Sequence, residues 1–199
     1  MLPLIYTDPG DARIFVAACL IWLVPEGIVN FRRAGVSRKS ARIRDRGSLL
    51  VLVVLQWAGL VLSFSLAWFF PGGAMQAHRL ASFIIGVVFI LLGVGLRRYA
   101  VWTLGASFTR DVAVSVDQRV VQEGPYRFVR HPAYTGTFLT MLGVGLALSN
   151  WASLIALLLL VSLGHSYRVS VEEKALVQII GQPYREYMRR TKRFIPLLF

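Results

Sequence analysis

An apolar run at residues 49–70 constrains this chain more than any other feature: it holds no charged residue and stops at Pro71-Gly72-Gly73. About 20 apolar residues in helical form cross the ~30 Å hydrocarbon core of a bilayer, whereas a surface helix of a soluble protein keeps a polar face. Four other segments follow the same pattern: 12–30, interrupted near its end by Pro25 and Glu26; 80–96, closed by Arg97-Arg98; 133–149; and 152–167. Backbone inside lipid must satisfy its own hydrogen bonds, so uninterrupted apolar segments of this kind are helices. The pattern predicts an all-α integral membrane protein with about five transmembrane helices. Composition agrees. Charged residues make up 16% of the chain, against roughly 25% in soluble domains, and the mean hydropathy is +0.60.

The last two segments are short for a span and are separated by Asn150-Trp151 alone. That spacing predicts a tight antiparallel helical hairpin over 133–167, with Trp151 at the membrane–water interface. The chain then divides into 1–98, three helices with a basic loop at 31–47, and 99–199, a polar loop, the hairpin and a tail. The opening MLPLIYTDPGDAR has no basic stretch before the apolar residues, so a retained first helix is expected rather than a cleaved leader.

The net charge of +12 raises the question of nucleic acid. The basic residues flank apolar segments and form no separate basic domain, so anionic lipid headgroups are the expected partner, not nucleic acid. Seven of the 22 lysines and arginines lie in 31–47, six in 97–130 and seven in 168–193, leaving Arg13 and Arg79. With five spans those three stretches share one side. The positive-inside rule then predicts a multi-pass protein with a cytoplasmic C-terminus and an outer N-terminus.

Several chemistries are excluded by pattern. Cys19 is the single cysteine, so there is no disulfide framework, and no Cys/His spacing suits a metal. No zinc-hydrolase or Ser/His/Asp pattern occurs. The glycines within 86–95 and 143–145 lie inside apolar helices rather than after a strand, so they predict close helix packing and not a nucleotide loop.

Polar residues concentrate in two blocks on the predicted cytoplasmic side. One reads Glu123-Gly124-Pro125-Tyr126-Arg127-Phe128-Val129-Arg130-His131-Pro132-Ala133-Tyr134-Thr135-Gly136 and leads into the fourth helix. The other begins Arg168-Val169-Ser170-Val171-Glu172-Glu173 and continues through Gly181, Tyr184, Tyr187, Arg193 and Pro196. A hairpin between the two helices places both blocks at one membrane face. Such a face suits a zwitterionic cofactor. A carboxylate would want Arg130 or His131, an ammonium Glu172 or Glu173, and an adenine or sulfonium the ring of Tyr126 or Tyr134. Plainer readings stand beside these. Arg130 is also a headgroup anchor, His131 a helix start, Arg168 and Glu172 a surface ion pair at i,i+4, and Tyr184 and Tyr187 interfacial aromatics. Glu26 is flagged as an intramembrane acid, read first as a lumen or interface residue. The remaining loop shows alternation at 111–116 and a turn at 124–126. The tail reads as a helix leaving the membrane, broken at Gly181-Gln182-Pro183. A second short helix follows with Pro183 in its first turn, and the apolar 194–199 returns to the membrane.

Taken together, the two blocks resemble the signature of the isoprenylcysteine carboxyl methyltransferase family, which groups with the phospholipid N-methyltransferases. Leu148-Ser149-Asn150-Trp151 fits as well. The resemblance covers the chain from Leu104-Gly105 onward; the earlier half matches only as hydrophobic spans. It implies an integral membrane enzyme that uses S-adenosyl-L-methionine, with a cofactor site formed by the cytoplasmic loop and the C-terminal helical tail. A lipophilic acceptor, isoprenylcysteine-like or a phospholipid, would enter sideways from the bilayer. By the same resemblance, Gly124, Tyr126, Val129, Arg130, His131, Tyr134 and Glu173 line the cofactor pocket, Glu172 approaches the cofactor's amino group, and Arg168 lies nearest the reacting carboxylate. Nothing in the sequence calls for a protein partner.

Methyl transfer is an in-line displacement at a sulfonium. A carboxylate acceptor, with a reference pKa near ~4, is already ionised at neutral pH and needs no base. The site must supply alignment and exclusion of water, worth ~7–11 kcal/mol in favourable cases. An arginine can hold the carboxylate by two hydrogen bonds and aim one oxygen. Three alternatives stay open at this stage. A phospholipid N-methyltransferase must deprotonate an amine, which would favour Glu172 or Glu173 over Arg168. An NADPH-dependent sterol reductase carries a related C-terminal pattern on a longer chain. A non-enzymatic membrane interaction protein would use the same charges as headgroup anchors.

Overall fold

The computed structural model of the protein describes residues 2–33, 47–105 and 120–194. Most of the basic linker, the alternation at 111–116 and residues 195–199 lie outside the described residues. The helices are α1 (Leu4–Thr7), α2 (Pro9–Arg33), α3 (Ser48–Phe69), α4 (Arg79–Leu104), α5 (Pro132–Ala147), α6 (Trp151–Ile180) and α7 (Gln182–Arg190).

Among the described residues three helices are long and apolar enough to cross a bilayer: Ser48–Phe69, Gln76–Leu104 with its 3-10 lead-in, and Trp151–Ile180. Their outward faces are apolar at helical spacing, with Leu50, Val54 and Val61 on α3, Ile84, Val88 and Leu92 on α4, and Ile155, Leu159 and Leu163 on α6 all exposed. A belt of this extent would aggregate in water and is at home in hydrocarbon. The protein is therefore an all-helical membrane protein. α5, at 16 residues, is about 24 Å long, shorter than its neighbours.

Two boundaries differ from the sequence reading. α4 does not stop at Arg97-Arg98 but runs on to Leu104, because arginine stems can follow an apolar surface while their heads find polar partners. α5 and α6 reverse direction through Leu148, Ser149 and Asn150, with Ser149 at φ 49°. Asn150 closes the corner: its Oδ1 accepts from Ser153 N at 3.1 Å and its Nδ2 donates to Phe70 O at 2.9 Å. The two helices touch, but α5 packs most closely on α4 and α6 on α3.

Glycine makes the α4–α5 seam possible. A Cβ on Gly86 would lie 2.6 Å from Gly143 O, and one on Gly93 would lie 2.5 Å from Gly136 O. The pairs Gly86–Gly143 and Gly93–Gly136 run antiparallel, seven residues apart on each helix. Dispersion between close backbones replaces the hydrophobic force that lipid does not supply. The core around this seam holds Ile90, Met141, Val144, Leu148 and Leu157. Past Tyr167, α6 continues to Ile180, ends at Gly181 with φ 73°, and hands over to α7, which has Pro183 in its first turn. The helix, break and short helix read from the tail are all present.

Candidate active site

One end of the bundle gathers the start of α3, the end of α4, the start of α5 and the second half of α6. Polar side chains collect there because each helix turns from apolar to charged sequence at that level. The loop before α5 forms a 3-10 turn over Gly124–Arg127 seated on the end of α4. Gly124 has φ 52°, and a Cβ there would press within 3.0 Å of Tyr99 Oη, so both backbone shape and space favour glycine. Tyr126 is buried against Ala100 and Ala133.

The C-terminal tail docks on this loop. Arg130 N donates to Lys192 O at 2.7 Å and His131 N to Arg193 O at 3.0 Å. Thr135 Oγ1 donates to Phe194 O at 2.7 Å. Tyr187 Oη donates to Tyr126 O at 2.6 Å. Burial pushes the Tyr187 phenol up to about 12, so it remains a protonated donor across the physiological range. Tyr184 and Tyr187 are both buried, so they are anchors of α7 and not interfacial aromatics.

Glu173 is the electrostatic centre of the first cluster. Its Oε1 accepts from Arg130 Nε at 2.9 Å and lies 3.3 Å from His131 Nε2. Its Oε2 accepts from Arg193 Nε at 3.0 Å and Nη2 at 2.7 Å. Arg130 also donates to the carbonyls of Met188 and Thr191. Arg130 and His131, each expected to face a cofactor, are here both drawn to Glu173, expected to do the same, and the three join loop, helix and tail.

The second cluster centres on Tyr134. Its hydroxyl donates to Glu172 Oε2 at 2.8 Å and accepts from Arg168 Nε at 3.2 Å. Arg168 Nη1 donates to Ser48 Oγ at 2.8 Å. Arg168 is only 3% exposed, so the reading of Arg168 and Glu172 as a surface ion pair does not hold; a phenol bridges them in a sheltered position. The Tyr134 ring lies 5.7 Å from the His131 ring and meets the His165 ring edge-on at 5.4 Å. His165 is oriented by its Nδ1, 2.8 Å from Val161 O. Burial followed by the nearby Glu172 charge pushes the Tyr126 phenol up.

The structure thus brings Arg130, His131 and Glu173 into one cluster and Tyr134, Arg168 and Glu172 into the next. Gly124 and Val129 shape the loop instead: Val129 is buried and its carbonyl lies 3.4 Å from Tyr187 Oη. Sequence reasoning missed Ser48 and His165. His165 carried a faint signal, a polar residue within an apolar segment; Ser48, 120 residues from Arg168, carried none. An open apolar cavity of about 420 Å³ lies between α2 and α3, lined by Phe15, Trp22, Leu60 and Phe64 and by the outward-facing Trp57, with Val144 of α5.

A family model described as phospholipid methyltransferase matches residues 81–183, which contain both clusters except Ser48 and Arg193. The chain is 34% identical to protein-S-isoprenylcysteine O-methyltransferase B of Arabidopsis thaliana, over 98% of each protein. The chain belongs to the isoprenylcysteine carboxyl methyltransferase family. A fission-yeast member, the protein-S-isoprenylcysteine O-methyltransferase of Schizosaccharomyces pombe, is 33% identical over 60% of this chain and 56% of its own length. Among solved structures, the eukaryotic intramembrane Ras methyltransferase of this family superposes with a TM-score of 0.66 at 25% identity, covering 98% of this chain and 70% of that one. Family likeness therefore extends over the N-terminal helices, where the sequence alone offered only hydrophobicity. The protein is a membrane methyltransferase.

Proposed function

We propose that the protein transfers a methyl group from S-adenosyl-L-methionine to the carboxylate of an isoprenylcysteine-like lipophilic acceptor, at the cytoplasmic face of its membrane. The observation that carries this reading is the pairing of a sheltered guanidinium, Arg168, with a half-buried carboxylate, Glu172, through the one hydroxyl of Tyr134. The names of the Arabidopsis and yeast relatives and of the solved neighbour support the acceptor class.

The donor set fits the proposed cofactor. Glu172 offers an anion to an ammonium, and the rings of Tyr126, Tyr134 and His131 offer π faces to a sulfonium. When bound, the cofactor would supply a methyl group on positive sulfur. Everything else falls to the chain. Arg168, held by Ser48 and Tyr134, orients the acceptor carboxylate by a charge-assisted fork. The Glu173 cluster locks the loop and tail against each other and fixes His131 and Tyr134 in place. The acceptor is ionised before it arrives, so the site holds it in line and excludes water. The apolar cavity between α2 and α3 offers walls of the kind an isoprenoid chain needs.

Five crossings, α2 through α6, with the C-terminus cytoplasmic, complete the proposal. The twenty-to-two division of lysines and arginines supports it. A reporter fused after Phe199 should be active in the cytoplasm; activity only on the far side would reverse the orientation. The binding test is direct. S-adenosylhomocysteine should bind the detergent-solubilised protein and raise its melting temperature, by the equivalent of about 2.7 kcal/mol at a hundredfold excess over Kd. Calorimetry on folded protein that detects no binding would remove the methyltransferase mechanism written here.

A further inference from the structure

The intramembrane acid Glu26 has a definite partner. Arg97 Nε donates to Glu26 Oε2 at 2.8 Å and Arg97 Nη2 to Glu26 Oε1 at 2.5 Å, a two-pronged bond between α2 and α4. The third nitrogen faces elsewhere: Arg97 Nη1 donates to Thr137 Oγ1 at 3.1 Å and to Ala133 O at 3.3 Å. Both acceptors belong to the first turns of α5, which begin immediately after His131 and carry Tyr134. The backbone is tight at the same level, since a Cβ on Gly136 would lie 2.7 Å from Arg97 N. A guanidinium is planar and its five donors form a rigid fork, so fixing two nitrogens on Glu26 fixes the direction of the third.

We infer that Glu26 and Arg97 are positioning residues of the methyl-transfer site: Glu26 aims the Arg97 guanidinium, and Arg97 holds the first turns of α5 so that His131 and Tyr134 meet the second half of α6. Neither residue touches the reacting atoms. The inference rests on the cofactor site proposed above. It explains an acid within the apolar stretch of α2 by a task that a bare helix tether would not need. A tether between α2 and α4 requires only the two Glu26 bonds, whereas the Nη1 bonds reach a third helix.

The charge-swapped double variant Glu26→Arg/Arg97→Glu separates the two roles. It can restore the α2–α4 ion pair, but a carboxylate at 97 cannot donate to Ala133 O. Melting temperature and S-adenosylhomocysteine affinity are measured in detergent, well below the melting point. Glu26→Gln is expected to weaken S-adenosylhomocysteine binding about tenfold or more. The swap should recover melting temperature relative to Glu26→Gln and leave binding equally weak. Thr137→Val, which removes one acceptor and keeps the shape, should weaken binding several-fold with near-normal melting. Arg98→Ala, which removes a bond from Arg98 Nη2 to Ile21 O between the same two helices, should bind like wild type. Wild-type affinity in both Glu26→Gln and Thr137→Val, or affinity that returns with melting temperature in the swap, would reduce the pair to a tether and overturn the inference. If the swap does not fold, the two single variants decide alone. Absence of binding in the wild-type protein would instead count against the cofactor site itself.

Discussion

Arg168→Leu is expected to abolish methyl transfer, or cut its single-turnover rate by about a hundredfold or more, while S-adenosylhomocysteine still binds. The guanidinium is sheltered and braced by Ser48 and Tyr134, and in the proposed mechanism it addresses the acceptor rather than the cofactor. Arg168→Lys should also be slow, because a point charge does not reproduce a planar fork. Glu172→Gln should show the opposite division, with cofactor affinity reduced about tenfold, in line with the loss of one charged hydrogen bond. An ordinary exposed pair would behave differently: breaking it from either side would cost roughly 0.2–0.5 kcal/mol of stability and leave turnover alone. Separate measurements of cofactor affinity and single-turnover rate on the three variants distinguish these outcomes. Near-normal turnover in Arg168→Leu would remove Arg168 from the chemistry and favour an amine acceptor.

Glu173→Ala is expected to be the most destabilising single change at the site. Its carboxylate is almost fully enclosed and takes hydrogen bonds from Arg130 and Arg193, with His131 beside it. Removing it leaves the enclosed Arg130 guanidinium without its anion, and breaking a buried pair from one side costs about 3–5 kcal/mol. Arg193 is half exposed and adds little by itself. For a chain of this size the loss corresponds to a fall in melting temperature on the order of 10 °C. Because the cluster joins residues 129–131 to the tail, cofactor affinity should fall with it. Thermal melting in detergent, with and without S-adenosylhomocysteine, checks both effects. A wild-type melting temperature would mean that loop and tail are held by backbone contacts alone.

The contrast between Glu172 and Glu173 marks where sequence reasoning ran out. The two are adjacent and chemically alike, and the sequence offers both as cofactor ligands. On a helix they point about 100° apart, and only the packing of α6 decides that Glu173 faces the loop and tail while Glu172 meets Tyr134. Local signals were readable: the apolar spans, the break at Gly181, Pro183 in the first turn of α7, and the glycine seam. The convergence of the two polar blocks was readable too, because a three-residue corner between α5 and α6 leaves them no other side to occupy. Long-range partners were not readable. Ser48 reaches Arg168 across 120 positions and Glu26 reaches Arg97 across 71, and no periodicity encodes such pairs. The extent of α4 is likewise illegible in the sequence, since Arg97 has the signature of an interfacial stop and is instead a half-buried donor to two other helices.

The central claim is carboxyl methylation of a lipophilic acceptor, and transfer of a labelled methyl group tests it most directly. Purified protein is incubated with methyl-labelled S-adenosyl-L-methionine and, in parallel, with a prenylated cysteine bearing a free carboxylate, the same molecule with its carboxylate amidated, and a phosphatidylethanolamine. The account predicts label on the free acid alone, released as methanol by mild base because the product is an ester. Base-stable label on the phospholipid, or equal label on the acid and its amide, would contradict it.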